Sequence, residues 1–167
     1  MLNPRILLFL TLIPLASKAQ DSCTLIRQTD PYTKLKIIST GFIPLNGGSI
    51  TIDASKPEVD VLFSLKGQNK CFTDASTAAI YFVGTKVKLT ERNDGTMNCE
   101  GLFHFILRNT ATPQVLMRKL ATQKIEKILF TGNDKVETLI VFTPEQQEAV
   151  IKLAACINRD APTLLQQ

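Results

Sequence analysis

Residues 112–157 read TPQVLMRKLATQKIEKILFTGNDKVETLIVFTPEQQEAVIKLAACI, which predicts two helices on either side of a hairpin. Thr112 and Pro113 open the first helix, because threonine caps helices and proline suits the first helical position. Thr143 opens the second, and Gln146 follows three residues later in the pattern of a capping box. The apolar residues of each helix form one stripe, so each helix is expected to bury one face.

The hairpin between these helices is predicted from two β-rich runs, residues 124–131 and 135–142. Gly132, Asn133 and Asp134 connect the two runs, and such residues favour tight turns because they tolerate unusual backbone angles. The region therefore predicts two antiparallel strands with a helix before and a helix after them.

The chain before residue 112 reads as short strands that turn residues separate. Residues 78–83 are apolar on both faces, which predicts a central strand. In residues 86–90, Val87 and Leu89 are expected to point inward. The predicted strands are residues 36–43, 49–53, 59–65, 78–83, 86–90 and 101–107, and the turns are residues 46–48, 66–69 and a hairpin turn at 93–95.

A run of strands followed by a helix, a hairpin and a helix predicts the α+β class. We expect a largely antiparallel β-sheet built from successive hairpins, with the two helices of the C-terminal half packed on one face. The 167 residues are 44% apolar and 20% charged, a composition that excludes disorder. Residues 20–160 are predicted to be a single domain, and residues 161–167 a flexible tail.

The first 19 residues have the layout of a secretory signal peptide. Arg5 supplies the positive start, residues 6–15 are almost wholly apolar, and Ser17 and Ala19 place small residues before a cut at Gln20. Ten apolar residues are too few to span a bilayer, which needs about 20, so no stable membrane insertion is expected after cleavage. The layout predicts a periplasmic or secreted protein.

Signal cleavage also changes the charge. It removes two of the 19 basic residues, so the net charge falls from +4 to +2. The remaining charges are interspersed and form no basic patch, so no nucleic-acid partner is expected.

Four cysteines in an exported chain predict disulfide bonds. Cys23, Cys71, Cys99 and Cys156 allow three pairings, and the sequence leaves the choice open. We favour Cys71 with Cys99, which would join neighbouring strand regions, and Cys23 with Cys156, which would tie the N-terminus to the last helix. A metal site is not expected, because the spacings contain no C-x₂-C pair and the chain has one histidine.

His104 is the residue on which an enzymatic interpretation depends. It shares a face with Leu102 and Ile106, which favours a hydrogen-bonded histidine on a strand. The sequence contains no nucleophile elbow, zinc-protease motif or phosphate-binding loop. We therefore assign no catalytic residue, cofactor or metal from the sequence.

Two further segments have two interpretations each. Residues 73–77 form either a turn or a polar site, and turns favour Asp, Ser and Thr. Lys86, Lys88 and Arg92 form either a cationic strip for an acidic partner or the protection of an edge strand.

The segment Asp30-Pro31-Tyr32-Thr33 after Cys23, together with Asp74-x-Ser76 and Leu120-x₄-Ile125-x₂-Ile128, resembles uncharacterised small exported proteins of Bacteroidota. This resemblance implies a periplasmic or secreted setting in a Gram-negative cell. It implies no activity and no catalytic residue.

Ample folding signals without a catalytic motif lead to a functional hypothesis. We expect an exported, disulfide-stabilised, non-catalytic domain that binds an unknown protein or small ligand through an exposed apolar patch or a sheet edge. One alternative is a small hydrolase with a site around His104. Another is an inhibitor or immunity-type protein that blocks a partner enzyme.

Overall fold

The computed structural model describes residues 23–67 and 70–166. The predicted signal peptide lies outside this part, as do two residues of the predicted turn at 66–69. Within the described residues the elements are β1 Ile26–Thr29, β2 Lys36–Ser39, β3 Ile43–Leu45, β4 Gly48–Ala54, β5 Glu58–Leu65, β6 Thr77–Phe82, β7 Lys88–Arg92, β8 Leu102–Arg108, α1 Val115–Leu120, β9 Ile125–Thr131, β10 Glu137–Val141, α2 Pro144–Asp160 and a 3-10 helix Ala161–Gln166.

The strands form two antiparallel sheets. The first has six strands in the order β1-β2-β4-β5-β8, with β3 also paired with β4. The second has four strands in the order β10-β9-β6-β7. The α+β class, the antiparallel pairing and the helices in the C-terminal half are confirmed, although the strands divide between two sheets.

The hairpin predicted at residues 93–95 is wrong, because β7 and β8 belong to different sheets. β7 pairs with β6, whereas β8 pairs with β5 along its whole length. The pairing with β5 places Phe105 opposite Val61 and Phe103 opposite Phe63. All four of these side chains are buried, so the β5–β8 pairing contributes directly to the hydrophobic core.

Val87 also departs from its prediction. It lies just before β7 and is 79% exposed, whereas Leu89 is partly buried against the core. The alternating pattern is correct for β7 itself but does not continue to its N-terminal side.

A cluster of phenylalanine rings joins the two sheets. Phe130 of β9 lies 5.1 Å from Phe103 and 5.2 Å from Phe63, measured between ring centroids, in edge-to-face geometry. Phe72 and Phe105 complete the cluster through contacts with Phe103. Aromatic pairs in this geometry stabilise beyond their buried area, so the cluster is the centre of the core.

The second helix begins as the sequence predicts. Thr143 accepts a hydrogen bond from the Gln146 main-chain N–H, and the Gln146 side chain accepts one from the Thr143 N–H. Its buried face includes Val150, Ala154 and Ile157, and it contacts β2, β3 and β4 of the six-stranded sheet.

The start predicted for the first helix is wrong. Helix α1 begins at Val115, and its N-cap Gln114 makes no capping bond with its side chain. The Thr110 hydroxyl donates to the main-chain oxygen of Thr112, so a local turn holds Thr112 before the helix.

The C-terminal segment differs from the predicted flexible tail. Ala161–Gln166 form a 3-10 helix in which Ala161 and Leu164 are buried. The Ala161 carbonyl also accepts a hydrogen bond from the buried Asn109 side chain. Apolar burial and this bond hold the segment against the domain.

The two disulfide bonds are those favoured from the sequence. Cys23–Cys156 links the segment before β1 to α2, and Cys71–Cys99 links the segments that flank the β6–β7 hairpin. The chain is therefore a disulfide-stabilised α+β domain. Among the described residues, none of the helices combines the length and the apolar character that a bilayer crossing requires.

Candidate functional site

The His104 ring forms a hydrogen bond with the Asp60 carboxyl group on the outer face of the six-stranded sheet. The imidazole Nδ1 lies 2.9 Å from Asp60 Oδ2, and about a quarter of each side chain is exposed. The two residues lie on the neighbouring strands β8 and β5, where the register places His104 opposite Leu62 and Asp60 opposite Ile106. The contact is thus a diagonal pair across adjacent strands.

A second carboxylate lies beside Asp60. Asp53 of β4 is its cross-strand partner, and Oδ1 of each residue is buried without a hydrogen-bond partner among the described residues. Burial raises the pKa of Asp60 above its usual range, the hydrogen bond from His104 opposes this, and the charges of Asp53 and Glu58 add to it.

The segment after β7, residues 93–98, covers the free edge of β8, which is the last strand of its sheet. We call it the covering segment. Asn93 Oδ1 accepts the His104 N–H at 2.8 Å, and Asp94 Oδ2 accepts the Ile106 N–H at 2.9 Å. The Asn98 side chain accepts the Leu102 N–H and donates to the Leu102 oxygen. Three polar side chains therefore satisfy the main chain of β8 as a neighbouring strand would.

Two close contacts fix this segment on the strand. The Asp94 N–H donates to the His104 carbonyl, and a Cβ at Gly95 would lie 2.7 Å from the His104 ring. Only glycine fits at this close approach. His104 is consequently held by Asp60 on one side and by the covering segment on the other.

The His104–Asp60 pair has two of the three groups of a hydrolytic triad. A nucleophilic mechanism also needs a hydroxyl or thiol within hydrogen-bond reach of the other imidazole nitrogen. In the described part of the chain no such group bonds to Nε2. His104 does not line any of the five clefts described by their wall residues in this structure, the two N-terminal clefts treated below among them. The pair links β8 to its neighbour β5.

The edge strand β10 contrasts with this closed edge. Within residues 23–67 and 70–166, no hydrogen bond from outside the β9–β10 hairpin reaches the main chain of Glu137–Val141. Leu139 and Val141 lie on the outer face of the sheet, and each is 53% exposed. The third outward residue of β10 is Glu137. An open edge with aliphatic side chains at two of its three outward positions is a template for a further strand.

The outer face behind β10 continues this apolar character. Leu139 is level with Leu129 of β9 and Ala79 of β6, and Val141 is level with Lys127 and Tyr81. The Lys127 ammonium lies 5.2 Å from the Tyr81 ring centroid, a cation–π contact. We call Leu139 and Val141, together with the open main chain of β10, the open edge.

The opposite edge of the same sheet is β7, where the sequence predicts a cationic strip. Lys88 and Arg92 are exposed there, and Lys86 lies just before the strand. Charged side chains on an edge strand deter pairing with another chain. The position thus agrees with the edge-protection interpretation of these residues.

Residues 73–76 form a turn, the first of the two interpretations, and Thr77 begins β6. The Ser76 hydroxyl accepts the Thr73 N–H, and the Ser76 N–H donates to the Thr73 oxygen. The described residues contain no group of three or more His, Cys, Asp or Glu side chains that suits a metal ion.

Sequence reasoning missed Asp53 and the covering role of Asn93 and Asn98. Asn93 is only 2% exposed in the structure, as a hydrogen-bonded asparagine can be. In the sequence it was visible only as the first of the turn residues 93–95. In comparisons with known proteins, no family model, no curated protein and no solved structure matches this chain.

Proposed function

We propose that this protein is an exported binding domain that captures an extended segment of a partner protein as an additional strand on β10. The observation that carries the proposal is the open edge, where exposed aliphatic side chains accompany main-chain groups that no described residue satisfies. Strand addition supplies those hydrogen bonds, and pockets for alternate side chains supply specificity.

The other edges support the choice of β10. The β8 edge is covered by Asn93, Asp94 and Asn98, and the β7 edge carries Lys88 and Arg92. Strand β1 is also an uncovered edge, but it has only four residues, and Ile26 is its one aliphatic side chain. We therefore place the partner strand at β10, not at β8, β7 or β1.

Export is supported by the cysteines and by the first 19 residues of the sequence. Both disulfide bonds require an oxidising compartment to persist, such as the periplasm or the extracellular space. We include in the proposal the periplasmic or secreted setting that the resemblance to Bacteroidota proteins implies.

Site-specific photo-crosslinking in the envelope fraction of the producing organism tests the proposal. A photoreactive phenylalanine replaces Leu139 in one variant and Ile106 in a second. Ile106 is the matched control, because it is also an exposed aliphatic residue on the outer face of an edge strand, and it is 38% exposed. We expect one defined protein to crosslink at Leu139 and not at Ile106.

The captured protein is then purified, and its affinity is measured for the wild type and for Leu139→Lys. We expect the substitution to weaken binding at least about tenfold, because it places a charged ammonium where the partner strand contacts the Leu139 side chain. Equal crosslinking at both positions, crosslinking only to a second copy of this chain, or no crosslinking at Leu139 would each overturn the proposal. Loss of a captured enzyme's activity on binding would identify the domain as an inhibitor acting through this edge.

A further inference from the structure

Two adjacent clefts lie between the N-terminal strands and the C-terminal 3-10 helix, far in sequence from the open edge. Their volumes are about 370 and 400 Å³, within the range of small-molecule sites. Both have Lys36 and Leu164 in their walls. The remaining described wall residues are Arg27, Gln28, Thr29, Lys34, Leu35, Ile37, Ile38 and Lys56.

The charge of these walls has one sign. Four of the ten described wall residues are basic and none is acidic. Arg27 is occupied by Asp160, to which its guanidinium donates at 2.6 Å. The cationic side chains Lys34 and Lys36 line the same cleft, and two like charges there attract an anionic group.

Lys34 is held in place by its own loop. Asp30 accepts the main-chain N–H groups of Tyr32 and Thr33, and Lys34 adopts a positive φ of 59°. The Lys34 ammonium donates to the Pro31 oxygen at 2.7 Å. An ammonium has three donors, so this bond positions the charge and leaves donors for a ligand.

The apolar part of the cleft comes from leucine side chains and lysine stems. Leu35 is half-buried, and Leu164 is buried in the 3-10 helix. Lysine side chains add apolar surface along their methylene groups. The walls of the cleft therefore combine apolar and cationic side chains.

We infer that this cleft binds an organic anion with an apolar chain, its anionic head between Lys34 and Lys36 and its chain against Leu35 and Leu164. The inference is independent of the proposed strand addition, because it uses none of the residues of β9 or β10. A fatty acid and a lipid-derived phosphate share this chemistry.

Isothermal titration at low ionic strength tests the inference with four ligands that carry the same ten-carbon chain. Decanoate and decyl phosphate have an anionic head, decanol a neutral one and decyltrimethylammonium a cationic one. Of decanoate and decyl phosphate, we expect the one with the higher affinity to bind at least about tenfold more tightly than decanol. We expect decyltrimethylammonium not to bind. The preference between the two anions distinguishes the acid from the phosphate.

The variants Lys34→Gln and Lys36→Gln, combined in one protein, locate the site. We expect the double variant to lose about tenfold in anion affinity and to keep the wild-type affinity for decanol. Lys135→Gln is the matched control, since Lys135 is an exposed lysine with the same φ of 59° in another loop. Equal binding of alcohol and anions, no binding of either anion, or an equal loss in the Lys135 variant would overturn the inference.

Discussion

The edge strands β8 and β10 end their sheets in opposite ways. On β8, the side chains of Asn93, Asp94 and Asn98 bond to three main-chain N–H groups. On β10, no described residue outside the hairpin bonds to the main chain. Both strands carry exposed aliphatic residues, so apolar exposure alone does not distinguish the two edges.

The difference shows where the chain uses polar residues to prevent pairing and where it does not. Buried polar groups cost free energy unless they are hydrogen-bonded, and the chain places a buried Asn93 at β8 to satisfy that edge. A sheet edge without such protection is a liability in a protein with no partner for it. The contrast is the reason that we place the binding surface at β10.

The largest expected effect tests whether both edges depend on one core. Phe130→Ala removes the ring that joins the two sheets, and we expect it to lower the free energy of unfolding by about 3–5 kcal/mol. Leu129→Ala, on the opposite face of the same strand, is the control, and we expect a much smaller loss. Chemical denaturation measures both, and equal losses would show that the core does not lie between the sheets.

The next effect concerns the bond that fastens the covering segment. Cys71–Cys99 closes a loop of 28 residues that contains β6 and β7. Replacing both cysteines with serine is expected to cost about 2–4 kcal/mol, because the unfolded chain regains freedom. Denaturation of the variant and the wild type compares the two. A change below about 0.5 kcal/mol would mean that the bond does not constrain the unfolded chain.

Removing the cover of β8 is expected to cost somewhat less. Asn93→Ala leaves the His104 N–H without its acceptor and removes one of the two donors to the Thr73 oxygen. We expect a loss of about 1–3 kcal/mol and a new tendency of the protein to associate through β8. Asn133→Ala, in the exposed β9–β10 turn, serves as the control in denaturation and light scattering. An equally small effect of both substitutions would contradict the role of Asn93.

The smallest effect is a pH dependence at Asp60. Burial raises its pKa, so the folded state binds the proton more tightly than the unfolded state does. The stability contribution of Asp60 therefore decreases as the pH rises from 3.8 through the folded pKa. Asp60→Asn removes this dependence, so the variant should gain stability relative to the wild type as the pH rises through that window.

Asp160 provides a control of opposite sign. Its pKa is lowered, first by the hydrogen bond from Arg159 and then by the charges of Arg159 and Arg27. Its stabilising contribution is present above pH 3.8 and is lost as the pH falls through the folded pKa. Asp160→Asn should therefore be less stable than the wild type at neutral pH and converge with it in acid. The same sign for both variants in thermal unfolding at several pH values would contradict the assignment.

Local patterns predicted much of the fold. The alternation in β5, the capping box at Thr143 and the β9–β10 turn follow from residue type and spacing. The two favoured disulfide pairs are also present, although the sequence left the choice among three pairings open. Each of these features depends on neighbouring residues or on the small number of ways to pair four cysteines.

Features that depend on residues far apart in the sequence could not be predicted from local patterns. Turn residues such as those at 93–95 occur both where a chain folds back into a hairpin and where it crosses to another sheet. Only the pairing of β8 with β5 shows that this chain crosses to the other sheet. The approach of Asp53, Asp60 and His104 depends on that same pairing. Thr112 carries a capping residue type, yet its local turn displaced the start of the helix.

Residue-resolved hydrogen exchange of the free protein tests the contrast between the two edges most directly. The amides of Leu102, His104 and Ile106 face the free side of β8 and should exchange slowly, because Asn98, Asn93 and Asp94 accept their hydrogen bonds. About half of the amides of Glu137–Val141 should exchange fast, since alternate residues of an edge strand point away from their neighbour. Slow exchange at every amide of β10, or fast exchange at His104 and Ile106, would contradict the assignment of β8 as the closed edge and β10 as the open one.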